Sequence, residues 1–206
     1  NLTSVPVQHL STIELIQEDE RSLAVLHDKT YPSGNLPYKK NNNSLGVNIT
    51  AQAAAVMDKD SGAILWQKNA DQVRSLASIT KLMTALVFLE NNPGWDTQVT
   101  LEKRDEANSN APNILRGETV TIKDLFYTSL IASDNNTANA LVRSTGMDRD
   151  EFVDLMNQKA RNLKLDNTKF KDPTGLNQDN VSTALEILKL ADTAFANQDI
   201  VEVTAL

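Results

Sequence analysis

The sequence predicts an α+β protein, a β-hairpin followed by a mainly helical body, and three observations predict it. Two apolar β-type runs, "VNITAQAAAVMD" and "AILWQK", flank the turn "KDSG" and read as strand–turn–strand. The segment "ASITKLMTALVFLE", residues 77–90, is apolar on every side of a helical wheel, the mark of a buried helix. Four later stretches carry helical spacing bounded by capping residues. With 206 residues, 40% of them apolar, the chain has the material for one real core.

Taken in order, residues 1–47 read as an N-terminal extension. "TIELIQEDERSLAVL" is weakly amphipathic, and "YPSGNLPYKKNNNS" has the polar, turn-rich texture of a linker. The hairpin follows from Val47, so residues 48–206 are expected to form the folded domain. The buried helix begins at about Ser78 and stops at "NNPG". "TQVTLEK" reads as a short strand. "TIKDLFYTSLIA" is a helix with Thr121 as N-cap; after the polar cluster "SDNN", "TANALVRS" resumes helical spacing up to Gly146, a suitable C-terminal stop. "DRDEFVDLMNQKARNLKL" is an acid-led amphipathic helix with its basic residues toward the end, matching the dipole. "DNTKFKDPTGLNQDN" is loop. In "STALEILKLADTAFAN", Thr183 and Glu186 form a capping box that opens a final helix.

Composition narrows the chemistry. A formal charge of −7 argues against a nucleic-acid partner, whose phosphates demand a basic face. No run approaches the roughly 20 apolar residues of a membrane span, and any signal or anchor is expected to have been removed or to lie upstream of Asn1. Zero cysteines exclude disulfides and thiol catalysis. With His9 and His27 as the only histidines, a His-based metal site or a Ser-His-Asp triad has poor support, and no cofactor is implied.

Lys81 is the one charged residue between Arg74 and Glu90, and a lysine is almost never buried unless it is paired or used. Ser78 lies one turn earlier on the same face, an arc that continues through Leu82, Ala85, Phe88 and Leu89, so hydroxyl and amine are expected to share a mostly apolar site. A serine hydroxyl needs an adjacent base to become a nucleophile. Lys81 is that base if burial and the helix N-terminus leave its amine neutral. Backbone N–H groups at the same end, Ser78's own included, are candidate oxyanion-hole donors. Alone, S-x-x-K is a weak signal, since about one is expected by chance in a chain this long at average residue usage. The uncharged helix around it raises its weight. Ser133-Asp134-Asn135 sits at a helix–helix junction that can project side chains into a cleft. There Ser133 can pass a proton toward a leaving amine and Asn135 can hold a substrate amide, although such residues also simply cap helices. Ser33-Gly34-Asn35 has the same S-x-N form but lies among the linker's prolines, where it makes a turn.

In this order the two motifs are two of the three elements of class A β-lactamases and penicillin-binding proteins. From about Ile49 to Ala205 the chain resembles the serine D-alanyl-D-alanine carboxypeptidases, the low-molecular-mass penicillin-binding proteins. The likeness lies in "AAAVMDKDSGAILWQKNAD", "LASITKLMTAL", "GETVTIKDLFYTSLIASDNNTANALV", "FVDLMNQKARNLKLDNTKFKDPTGLN" and "VSTALEILKLA". The resemblance implies a β-lactamase/transpeptidase-like fold, with Ser78 as acylated nucleophile, Lys81 as its base, and Ser133 and Asn135 as the second wall of the cleft, Asn135 also binding substrate. It implies a secreted, extracytoplasmic hydrolase, with room for an upstream membrane anchor, that removes the terminal D-alanine from peptidoglycan stem peptides in the cell wall, with a bearing on cell shape, and is acylated by β-lactam antibiotics.

Two positions and one missing motif depart from the family pattern. Asp134 stands where these carboxypeptidases usually have Gly. Thr174 stands where the "PHGL"-like loop usually has His, which reads as a tolerated structural change. No K-T-G or K-S-G tripeptide occurs; "DKT", "STG" and "PTG" are the nearest strings. The expectation is therefore a fragment or one part of a split protein, lacking the C-terminal strands of the sheet, with the third motif on an absent or separate segment, and weakly stable or associated and catalytically poor by itself. Two rivals follow. A class A-like β-lactamase needs a carboxylate to activate the deacylating water, for which Asp172 is the loop candidate. The other is a non-catalytic envelope module that kept the fold.

Overall fold

The computed structural model describes residues 37, 38, 40, 47–107 and 112–205. The amphipathic stretch, most of the linker and Ser33-Gly34-Asn35 lie outside the described residues. The rest fall into two compact units, one up to Ala70 and the other from Asp71.

The first unit is the expected hairpin. β1 (Ala54–Met57) pairs antiparallel with β2 (Ile64–Lys68) in the register Ala54 to Lys68, with an irregularity between Val56 and Met57. Asp58 makes the turn, its carboxylate accepting from the Ser61 N–H at 2.8 Å and hydroxyl at 2.5 Å, and Gly62 supplies the positive φ of 69°. At the far end Lys68 donates to the carbonyls of Ile49 (3.2 Å) and Ala51 (2.8 Å), tying the lead-in segment to β2.

The second unit is built around α1 (Thr80–Glu90), buried continuously from Thr80 to Phe88. It begins two residues later than Ser78, because its entry is a tighter turn. Thr80, Lys81 and Leu82 N–H groups donate to the carbonyls of Ala77, Ser78 and Ile79, each three residues back. In such a 3₁₀ turn, residues three apart eclipse. Around α1 pack α2 (Ile122–Ile131), α3 (Asn135–Ser144), α4 (Arg149–Asn162) and α5 (Ala184–Ala194), while α6 (Gln198–Thr204) lies against α2. Met83, Val87 and Phe88 meet Leu125 and Phe126 of α2, Phe152 and Met156 of α4, Leu190 of α5 and Ile200 of α6 in one core. Phe88, Trp95 and Phe126 form an aromatic trio with centroids 5.2–6.2 Å apart, geometry that adds to plain burial.

Caps explain the boundaries. Thr121, Asp134, Asp148 and Thr183 each accept from the N–H three residues on, as Ser, Thr, Asp and Asn do at helix starts. Gly146, at φ 83°, follows α3 as expected. Two differences stand out. The capping box at Thr183 is only half made: the Glu186 carboxylate instead accepts from Asn167 N (2.9 Å) and Nδ2 (2.9 Å) and the Thr168 hydroxyl (2.5 Å), since that loop brings three donors to a buried acceptor. And α6, unread in the sequence, starts where the Asn197 side chain accepts from Asp199 and Ile200 N–H.

Strands in this unit are short. β4 (Gln98–Thr100), the expected strand, pairs with β5 (Thr119–Thr121). β3 (Arg74–Ser75) pairs antiparallel with β6 (Val181–Ser182), and Leu76 N–H extends the pairing to the Asn180 carbonyl at 2.6 Å. That ladder sets the loop 171–180 beside the entry to α1.

Candidate active site

Four side chains converge on one point. Lys81 Nζ, on a residue 3% exposed, lies 3.2 Å from Ser78 Oγ, 3.4 Å from Ser133 Oγ and 2.7 Å from Asn135 Oδ1. A fourth partner comes from the loop 171–180, the Thr174 carbonyl at 2.9 Å. The 3₁₀ entry eclipses Ser78 with Lys81, which is why a spacing of three residues brings hydroxyl and amine together. Ser133 and Asn135 reach the point because α2 and α3 meet there. Ser133 turns the chain with a φ of 55°, and Asp134 caps α3 by accepting from Thr137 N–H at 3.0 Å.

The expectation of a mostly apolar site does not hold. Lys81 is buried, but among acceptors rather than hydrocarbon, because at the first turn of α1 the loop 171–180 and the α2–α3 junction present polar groups. Burial still dominates its acidity: it pushes the Lys81 amine down to about 8, while the carboxylates of Asp172 and Asp134 pull the other way. A neutral amine has two N–H donors and one lone pair. Asn135 Oδ1 and the Thr174 carbonyl can only accept, so they take the two donors and leave the lone pair for a hydroxyl. Ser78 O–H is then free to donate to Nζ, the arrangement a general base requires.

Several residues shape the site in ways the sequence did not announce: Asp172 stood there only as a candidate to activate water, and Asn180 and Gly175 were not singled out. Asp172, 1% exposed, accepts through Oδ1 from Gly175 N (3.0 Å) and Asn180 Nδ2 (2.7 Å), and through Oδ2 from the Thr174 hydroxyl and N–H (3.3 Å) and Arg149 Nη2 (3.5 Å). Asn180, fully buried, links this turn to Thr80 Oγ1 at the head of α1 (3.1 Å). Gly175 lies against the Ala77–Ser78 peptide so tightly that a Cβ there would strike the Ala77 carbonyl and stand 3.0 Å from Ser78 N. The available signal was the string "DPTG…N", a carboxylate, a Pro and a Gly within four residues, which marks a turn of fixed shape. Asp134, noted as a departure, also accepts from Asn113 N (2.7 Å) and Nδ2 (3.2 Å), anchoring the segment before β5. Among the described residues no cluster of His, Cys, Asp or Glu could hold a metal ion.

A family model described as D-alanyl-D-alanine carboxypeptidase matches residues 38–204. The chain is 35% identical over 152 residues to a D-alanyl-D-alanine endopeptidase of Haemophilus influenzae, covering 73% of this chain and 52% of the relative. It is 34% identical over 162 residues to a D-alanyl-D-alanine carboxypeptidase of a Streptomyces strain, covering 72% and 56%. Among solved structures, a mutant of a Streptomyces DD-transpeptidase superposes with a TM-score of 0.69 at 31% identity, covering 77% of this chain and 65% of that one. A D-alanyl-D-alanine carboxypeptidase from Mycobacterium tuberculosis gives 0.71 at 28%, covering 86% and 65%. The chain spans about half the length of the curated relatives it matches.

Proposed function

Because the chain belongs to the D-alanyl-D-alanine carboxypeptidase family and has the penicillin-binding DD-peptidase fold, we propose that it is a serine DD-peptidase acting through an acyl-enzyme. Residues 48–206 are the proposed peptidase domain and 1–47 its extension. One observation carries the reading: a buried amine, Lys81 Nζ, stands 3.2 Å from the exposed Ser78 hydroxyl with its other donors engaged. In the proposed reaction Ser78 Oγ attacks the carbonyl carbon of the D-Ala-D-Ala peptide bond while its proton passes to Lys81 Nζ. The C–N bond then breaks, and the leaving amine takes that proton by way of the Ser133 hydroxyl, 3.4 Å from Nζ. Water hydrolyses the ester that remains. Asn135, its Oδ1 held by Lys81, keeps its NH₂ group for a substrate amide.

The substrate proposed is the peptidoglycan stem peptide outside the cytoplasm, with β-lactams as acylating mimics. A β-lactamase reading is disfavoured, since the Asp172 carboxylate that would activate water is already committed to Arg149 and to five donors of its own loop, the Asn177 N–H at 3.4 Å among them. Endopeptidase action on cross-linked stems is the second reading, favoured by relatives of that name in three organisms.

The test is incubation with a labelled penicillin and peptide mapping. One covalent adduct is expected on the peptide containing Ser78, absent in Ser78→Ala, with the fold unchanged because an exposed truncation opens no core cavity. An adduct that persists in Ser78→Ala, or none in the unaltered protein, overturns the proposal. Release of free D-alanine from a pentapeptide, against cleavage of a cross-linked dimer, separates carboxypeptidase from endopeptidase.

A further inference from the structure

A general base must be aimed as well as neutral, and the aim of Lys81 depends on what holds its two acceptors in place. Asn135 is fixed by the start of α3. The Thr174 carbonyl has no helix to hold it; it belongs to a turn, and the contacts of that turn are unusually one-sided. A single buried carboxylate, Asp172, gathers the N–H groups of Thr174 and Gly175 and the Thr174 hydroxyl. With these donors drawn inward, the peptide after Thr174 has its carbonyl directed outward onto Lys81 Nζ. Pro173 is clamped as well, its carbonyl accepting from Thr84 Oγ1 at 2.6 Å.

We propose that Asp172 and the Thr174 hydroxyl are positioning residues for the reaction: together they hold the Thr174 carbonyl on Lys81 so that the amine turns its lone pair to Ser78. The inference rests on the serine-peptidase reading above and deepens it. It gives the threonine that replaces the family's usual histidine a task. A hydroxyl two residues after the carboxylate reaches back to it, and this closes the turn without adding a titrating group. Without that hydroxyl the turn keeps only its N–H groups on Asp172 and the Pro173 clamp, the Thr174 carbonyl is held less tightly, and the amine can rotate an N–H toward Ser78, which is unproductive.

Thr174→Val removes the hydroxyl at constant shape, and Thr174→Ser restores it. Asp172→Asn removes the charge. The fixed charges facing Lys81 are Asp172 from the loop and Asp134 from the cap of α3, with Arg149 of α4 reaching Asp172; α1 itself contributes none before Glu90. With the Asp172 charge gone, the Lys81 amine loses protons more readily, so the acid limb of acylation moves to lower pH by about one unit. Thr174→Val is expected to slow acylation at saturating penicillin by between about ten- and a hundredfold without weakening the prior binding, and Thr174→Ser to recover most of the rate.

A Thr174→Val variant as fast as the unaltered protein overturns the inference. So does a Thr174→Ser variant as slow as Thr174→Val, since a hydroxyl put back at the same position would then fail to restore the rate. An Asp172→Asn variant with an unmoved acid limb overturns the part played by the carboxylate. Should Asp172→Asn fail to fold, the Thr174 pair decides alone. NMR titration of the Lys81 side chain in the unaltered protein and Thr174→Val reads the amine without any reaction: a midpoint that changes between them supports the inference, and one that does not overturns it. Absence of acylation in the unaltered protein would instead overturn the functional reading, which keeps the two failures distinct.

Discussion

At the scale of single residues, Lys81 sets the terms. Its amine, lowered to about 8 by burial, is charged at neutral pH and neutral above that value. Acylation by a penicillin is therefore expected to rise with pH to a plateau beyond about 8, well before the ~10.4 of an ordinary lysine. Lys81→Met keeps length and packing and removes the base, and should cost orders of magnitude in acylation. Its effect on stability has a definite sign. The folded protein releases the Lys81 proton near pH 8, whereas the unfolded chain holds it to about 10.4. Between those values the unfolded state binds more protons, so stability of the unaltered protein rises with pH relative to Lys81→Met. Melting temperatures of the two should converge in the unaltered protein's favour from pH 7 to 10; a constant gap would contradict a depressed amine. The Ser78–Lys81 pair was legible in the sequence because both lie on one turn. The acceptors were not: Thr174 is 93 residues from Lys81, and its contribution is a backbone atom, which no residue type announces.

At the scale of elements, the loop 171–180 does the work that a helix does elsewhere. Gly175 sits at φ 89° against the Ala77–Ser78 peptide, so Gly175→Ala meets both a backbone conformation L-residues avoid and a carbonyl that cannot yield cheaply. The expected result is a loss of about 1–3 kcal/mol in stability. A drop in acylation should exceed the fall in folded fraction, measured by denaturant melts beside adduct formation. A variant that matches the unaltered protein in both would show the close approach to be slack. Helices α2, α4 and α5 could be read from their periodicity and caps, since those signals are local. The β3–β6 pairing could not, because two-residue strands carry no alternation and the partners lie about a hundred residues apart. α6 escaped for a related reason: seven residues make two turns, too few for a face to repeat.

At the scale of the whole molecule, α1 is the central helix of the second unit's core and the carrier of Lys81. The site has no separate scaffold to fall back on, so loss of acylation on heating should share its midpoint with loss of the near-UV signal from Trp95 packed on Phe88 and Phe126. Acylation that failed several degrees earlier would mean the loop 171–180 melts by itself. The Ser133 backbone holds a conflict of another kind. It occupies the left-handed region, where glycine is at ease and serine costs about 1 kcal/mol, yet its hydroxyl faces the amine at 3.4 Å. A mutant library selected only for survival of heat should accumulate glycine at this position, and one selected for β-lactam labelling should reject it. The two selections, run in parallel on the same gene, would diverge first at codon 133.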